Sequence, residues 1–136
     1  MCRVVADVMH TGVLSCPQTS SLQDVARRMT DNDVSSLLVI DQQGVMVGII
    51  SRTDLVNARI YEQFWKDWRR LTAGHIMTRE VVTISGTLSI EDAGKLMISK
   101  RIHRIVVQDP EGKAVGIISL TDLVRDLARG EELSGK

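Results

Sequence analysis

GVMVGIISRTDLV (44–56) and GKAVGIISLTDLV (112–124) are one stretch written twice, 68 residues apart. The likeness runs upstream without a gap. MHTGVLSCPQTSSLQDVARRM (9–29) reads against MTREVVTISGTLSIEDAGKLM (77–97), and 18 of the 50 pairs between 7–56 and 75–124 are identical. A fixed period of this size marks a duplicated supersecondary unit. Two similar lobes follow from it, and any site should occur twice.

Each copy reads as β-α-β-β-α. In the second, VVTI (81–84) is a β-branched strand broken by Ser85-Gly86-Thr87. Ser89 with Asp92 is a helix N-cap and capping-box partner. The helix runs to about Lys100, with Ile90, Ala93, Leu96 and Met97 on one face. RIVV (104–107) is a strand, Asp109-Pro110-Glu111-Gly112 a turn, and AVGIIS (114–119) the return strand of a hairpin. Thr121-Asp122-Leu123-Val124 opens the last helix. The first copy repeats this order: VLSC (13–16), a helix from Ser21, SLLVI (36–40), the turn 41–44, VMVGII (45–50) and a helix from Ser51. Gly44 and Gly112 are turn glycines. Gly48 and Gly116, inside strands, predict close approach of backbone or ligand. The expected fold is α/β: two repeats about a pseudo-twofold axis, sheets packed together and helices outside. The first repeat spans 1–68, with a connecting helix at about 57–71, and the second spans 69–136.

Composition narrows the function. The 136 residues are 43% hydrophobic and 25% charged with zero formal net charge. That is a globular composition. The lack of a basic block argues against a duplex nucleic-acid surface. No apolar run reaches the ~18 residues of a membrane span, and the N-terminus lacks signal-peptide anatomy. The cytoplasm is the expected location. Cys2 and Cys16 give no disulfide framework; Cys16 reads as a small buried apolar residue and Cys2 as a thiol near a frayed end. His10 and His75 have no second ligand at a metal spacing and read as surface residues, so no metal is expected. No nucleophile–base pair, P-loop or dinucleotide fingerprint is present, so no catalytic residue is assigned and the chain does not read as an enzyme.

The most repeated segment is VGIIS-x-TDLV, and it has two readings. Ser51 with Asp54, and Ser119 with Asp122, are spaced as capping boxes, which explains them without a ligand. Capping does not explain Thr53 and Thr121, each one position before the Asp. A strand-to-helix turn with free N–H groups also binds anions. The adjacent carboxylate can accept two hydrogen bonds from a vicinal diol, as ribose offers. Thr and helix N-terminus for phosphate, with Asp for ribose, would together read a nucleotide.

With these elements in order and twice, the chain resembles a tandem pair of cystathionine-β-synthase (CBS) domains, a Bateman module, over about residues 5–129. The repeat carries the resemblance, together with the M-x-x-x-V openings Met9/Val13 and Met77/Val81, RIHRIVVQDPEGKAVGIISLTDLV (101–124), and both G-I-I-S-x-T-D-L elements. It implies a regulatory unit that binds AMP, ADP, ATP or S-adenosylmethionine in the cleft between repeats, with no cofactor. On that resemblance Asp54 or Asp122 holds ribose and Thr53 or Thr121 contacts phosphate. His103 and Arg104 lie near phosphate. Ser51, Ser119, Arg52, Gly12, Val13, Val81, Ser35 and Ser36 complete the candidate ligand-binding set. The copies are lopsided. Ser35-Ser36 stands where His103-Arg104 stands in the second copy, and Arg52 where Leu120 stands. Unequal affinities are expected, the tighter site being the one Arg104 reaches. His103 and Arg104 also fit a solvated polar pair before a strand.

All four aromatic residues, Tyr61, Phe64, Trp65 and Trp68, lie within eight positions. With Ile60 and Leu71 they span about 140° of a helix, opposite Arg59, Glu62, Lys66, Arg69 and Arg70. The stripe covers the chain's own core, a membrane surface, or a subunit interface. The interface is favoured because aromatics are enriched there, and a homodimer follows. The expected function is a non-enzymatic adenine-nucleotide sensor signalling to a partner enzyme or transporter in trans. The rival is a structural homodimerisation module whose Asp54 and Asp122 only cap helices.

Overall fold

The structure, a computed structural model, describes residues 3–60 and 70–129. Its elements divide between two compact units, Leu14–Val81 and Met1–Val13 with Val82–Lys136. These units are not the sequence repeats. Each consists of one β-α-β-β-α repeat and the short segment that precedes the other copy.

In the first unit β2 (Ser15–Pro17) pairs parallel to β3 (Ser36–Ile40), which pairs antiparallel to β4 (Met46–Ser51), giving the order β2-β3-β4. The parallel step is bridged by α2 (Leu22–Asn32). Ser21 caps α2 by accepting from the Asp24 N–H at 3.1 Å, which satisfies one donor that the helix leaves open. Leu22, Val25 and Met29 form the buried face of α2. They pack with Leu37, Val39 and Ile50, and β3 is buried at four successive positions from Ser36 to Val39. A strand covered on both faces reads as an unbroken apolar run, which is why SLLVI does not alternate. α3 (Arg52–Ile60) follows β4 directly.

The second unit repeats this with α5 (Ile90–Lys100) between β5 (Thr83–Ser85) and β6 (Arg104–Gln108), then β7 (Ala114–Ser119) and α6 (Leu120–Ala128). Its core joins Val5, Ala93, Met97, Ile105, Val107 and Ile118. The strands expected at 13–16 and 81–84 begin two residues later than the β-branched runs suggest. Leu14 and Val82 still lend carbonyls, to the N–H groups of Leu38 and Val106. Both hairpin turns are held by an aspartate. Asp41 Oδ1 accepts from the N–H groups of Gln43 (2.8 Å) and Val45 (3.0 Å), and Asp109 Oδ1 from those of Glu111 (3.0 Å) and Lys113 (2.9 Å). Gly44 and Gly112 take φ of +80° and +84°, the left-handed region open to glycine.

The preceding segments contribute α1 (Val5–Val8) and β1 (His10–Thr11) to the second unit and α4 (Ala73–Ile76) to the first. Neither helix was legible in the sequence. Val5 and Ala73 are fully buried. β1 adds an edge to the four-stranded sheet β1-β7-β6-β5, with His10 opposite Ile117. In the first unit Thr78 and Ile49 exchange both backbone bonds, at 3.0 and 2.8 Å. Gly48 and Gly116 make this approach possible. A Cβ at Gly48 would lie 2.5 Å from the Met77 sulfur and 2.8 Å from the Thr78 carbonyl oxygen. At Gly116 it would meet Met9 and His10 at the same distances. The close approach read from these glycines is therefore one of backbone and methionine.

Of the aromatic stripe, Tyr61, Phe64, Trp65 and Trp68 lie outside the described residues. Leu71 at its far end is buried in the first unit's core, and Ile60 at its start is exposed. No helix among the described residues is long and apolar enough to cross a membrane.

Candidate functional site: two Ser-x-Thr-Asp turns

Each hairpin runs into its helix at a turn with the same internal bonding. Ser51 donates its N–H to Asp54 Oδ2 at 2.8 Å and its hydroxyl at 3.1 Å, and accepts from the Asp54 N–H at 3.3 Å. Ser119 and Asp122 repeat the three distances. This is a reciprocal capping box. The serine and one carboxylate oxygen of each aspartate are thus engaged in starting α3 and α6. Thr53 and Thr121 are exposed, and their hydroxyls take no hydrogen bond among the described residues.

The polypeptide before each central strand closes against the turn. The Arg52 N–H donates to the Ser35 carbonyl at 3.0 Å, and the Leu120 N–H to that of His103 at 2.9 Å. Strand register puts Ser36 opposite Ser51 and Arg104 opposite Ser119. The first unit therefore assembles Ser35, Ser36, Ser51, Arg52, Thr53 and Asp54, with Val81 half-buried in the same unit. The second assembles His103, Arg104, Ser119, Thr121 and Asp122, with Gly12 (φ +70°) and Val13 just after β1. Ser36 is buried, His103 and Arg52 are exposed, and Arg104 is half-buried. Arg104 and Asp122 share a unit.

The two carboxylates differ at the second oxygen. Asp122 Oδ1 lies 3.0 Å from His10 Nε2 and 3.2 Å from Arg125 Nη1, and its side chain is 2% exposed. Asp54 is half-buried, and its Oδ1 has no partner among the described residues. The positions equivalent to His10 and Arg125 hold Thr78 and Asn57. His10 is a surface residue as expected, with a side chain 67% exposed, yet it reaches the candidate site. Sequence offered no cue to that contact, since the pairing of β1 with β7 spans about a hundred residues.

A second asymmetry lies one helical turn on. Arg3 Nε and Asp126 Oδ1 meet at 2.7 Å as an ion pair off the line of a good hydrogen bond. The equivalent positions in the first unit are Leu71 and Ala58, both buried in its core. His75 also has a local role. Its Nδ1 accepts from the Thr72 N–H at 2.9 Å at the start of α4, as Asp7 does for Val4 in α1; the ring proton is then on Nε2. Burial pushes the Cys16 thiol up, with Arg28 opposing the shift. Among the described residues no three His, Cys, Asp or Glu side chains cluster as metal ligands.

The CBS domain model matches residues 5–61 and 73–129, and the chain belongs to the CBS-domain family. An uncharacterised protein of Methanopyrus kandleri is 27% identical over 121 residues, covering 89% of this chain. The chain spans 61% of that relative's length. CBSX2 of Arabidopsis thaliana, solved in complex with AMP, superposes with a TM-score of 0.79 at 24% identity, over 95% of this chain and 98% of that one. A CBS domain pair in complex with 5′-methylthioadenosine and S-adenosyl-L-methionine superposes at 0.85 and 22% identity, over 96% and 99%. Those likenesses establish the shared fold.

Proposed function

We propose that this chain is a non-enzymatic regulatory module that senses an adenosine-containing ligand, AMP, ADP, ATP or S-adenosylmethionine, through its Ser-x-Thr-Asp turns. The observation that carries the reading is the first turn. Among the described residues Asp54 keeps an oxygen open, beside the exposed Thr53 hydroxyl and the exposed Arg52 at the start of α3. A carboxylate oxygen is an acceptor for sugar hydroxyls. The hydroxyl, the guanidinium and the N-terminal end of the nine-residue α3 are donors to phosphate. Adenosine ligands in CBS-domain structures support the same chemistry here. Signal output then passes to a partner enzyme or transporter in trans, from a cytoplasmic homodimer formed through Tyr61, Phe64, Trp65 and Trp68.

The rival is a structural dimerisation module in which both aspartates only cap helices. The second turn favours it, since Ser119, His10 and Arg125 already surround both Asp122 oxygens. A thermal-shift panel of adenine and guanine nucleotides and S-adenosylmethionine separates the two. A ligand at 100 times its dissociation constant adds about 2.7 kcal/mol, visible as a raised melting temperature. A flat response across the panel supports the rival.

A further inference from the structure

The two turns share their sequence pattern and their capping geometry, yet they offer a ligand different carboxylates. A carboxylate presents about four lone-pair sites. In Asp122 both oxygens are engaged. Oδ2 accepts the Ser119 N–H and hydroxyl, Oδ1 accepts from Arg125 Nη1 at 3.2 Å, and His10 Nε2 covers Oδ1 from 3.0 Å. Among the described residues Asp54 is engaged only at Oδ2, by the Ser51 N–H and hydroxyl. The difference traces to two positions. The first unit has Thr78 and Asn57 where the second has His10 and Arg125. Thr78 is held at the matching place by its paired backbone bonds to Ile49, so the change is one of side chain at constant backbone.

A vicinal diol needs two acceptor sites. Among the described residues both are open at Asp54. At Asp122 a diol must displace the Arg125 guanidinium and the His10 ring from an almost fully buried carboxylate. The hydroxyls of a sugar return hydrogen bonds to that carboxylate but no countercharge. We propose, resting on the adenosine-sensor reading, that His10 and Arg125 close the second turn to nucleosides, so that Asp54 alone reads ribose in this chain. His10 and Arg125 are thereby specificity-determining residues: they decide which of two duplicated turns accepts a sugar.

Titration calorimetry with adenosine, which carries no phosphate, tests this on the full chain. The unmodified protein takes one adenosine per chain, and Asp54→Asn removes that binding by tenfold or more. The exchange His10→Thr/Arg125→Asn gives the second turn the residues of the first and raises the stoichiometry to two. The reverse exchange, Thr78→His/Asn57→Arg, closes the first turn and weakens adenosine at least tenfold. Circular dichroism confirms that each variant is folded, and the two exchanges read different units, so loss of one fold does not decide the result. Two adenosines on the unmodified protein, or tight adenosine retained by Asp54→Asn, overturns the inference while leaving the sensor reading intact. A stoichiometry of one after His10→Thr/Arg125→Asn, in a folded protein, overturns it too. Neither adenosine nor AMP binding at any turn would instead remove the sensor reading on which it rests.

Discussion

Replacing Gly48 by alanine should destabilise the first unit, and the size of the effect follows from three distances. The new Cβ would lie 2.5 Å from the Met77 sulfur, 2.8 Å from its Cγ and 2.8 Å from the Thr78 carbonyl oxygen. Real Cβ atoms do not approach so closely, so something must move. The thioether can rotate away. The carbonyl cannot, because Thr78 and Ile49 are locked by two backbone bonds at 3.0 and 2.8 Å. Losing both costs about 1–3 kcal/mol at a typical net value per bond, within the usual range for overpacking a core. Alanine returns about 0.5–1 kcal/mol by restricting the unfolded chain. The net is a loss of about 1.3 kcal/mol, or roughly 4 °C in Tm for a chain of this length. Urea unfolding by far-ultraviolet dichroism reads it as a lower midpoint at unchanged slope. Adding Met77→Ala removes the sulfur contact but leaves the carbonyl clash, so it should not restore stability. An unchanged or raised midpoint in Gly48→Ala would refute the argument that this glycine exists to admit the docked segment.

Other consequences are simpler to state. Exchanging the Arg3–Asp126 pair for the Leu71–Ala58 pair of the first unit, as Arg3→Leu/Asp126→Ala, should leave stability unchanged or raise it. Removing both partners of such a pair avoids an orphaned charge, whereas Asp126→Ala alone should cost about 1–3 kcal/mol for leaving Arg3 unpaired; chemical denaturation compares them. The Cys16 thiol should react slowly with a disulfide reagent in the folded protein and fast in denaturant. Its folded pKa is raised by burial, so the stability it contributes is full below the unfolded value of about 8.5. That contribution falls as pH rises from there toward the folded value; a melting curve for Cys16→Ala should lose that alkaline slope. Phe64→Glu/Trp68→Glu should turn a dimer into a monomer by light scattering, and a variant that stays dimeric would show the interface lies elsewhere.

The central strands and flanking helices were legible because each carries its own local signal. SLLVI, RIVV and AVGIIS are apolar runs, and Ser21 and Ser89 are caps with an acidic partner three residues on. The bulge in both hairpins, at Val39/Ile40 and Val107/Gln108, was not legible, because an extra residue in a ladder leaves no periodicity. Nor was the placement of residues 4–12 and 72–80. Short helices of four residues have too few positions to show an apolar face, and their docking is fixed by contacts distant in sequence. The same limit hid half of the candidate site. Ser51, Asp54, Ser119 and Asp122 were found from spacing alone. Ser35, Ser36, His103 and Arg104 entered through family resemblance, and the Arg52 and Leu120 amide bonds to the preceding carbonyls explain why they adjoin the turns. His10 was missed, since only the fold brings β1 beside α6, whereas Arg125 stands three residues after Asp122 on α6, a spacing that could have found it.

The assignment of ribose to the first turn rests on one carboxylate, and one comparison tests it most directly: calorimetric titration of AMP into the unmodified protein and into Asp54→Asn. Asparagine keeps a side-chain oxygen to accept the Ser51 N–H, so the variant should remain folded, with its start of α3 preserved. If Asp54 reads ribose, AMP affinity falls by an amount set by a lost charged hydrogen bond, about 1.5–3 kcal/mol, or roughly ten- to a hundredfold. An Asp54→Asn protein that binds AMP as tightly as the unmodified chain would contradict the account.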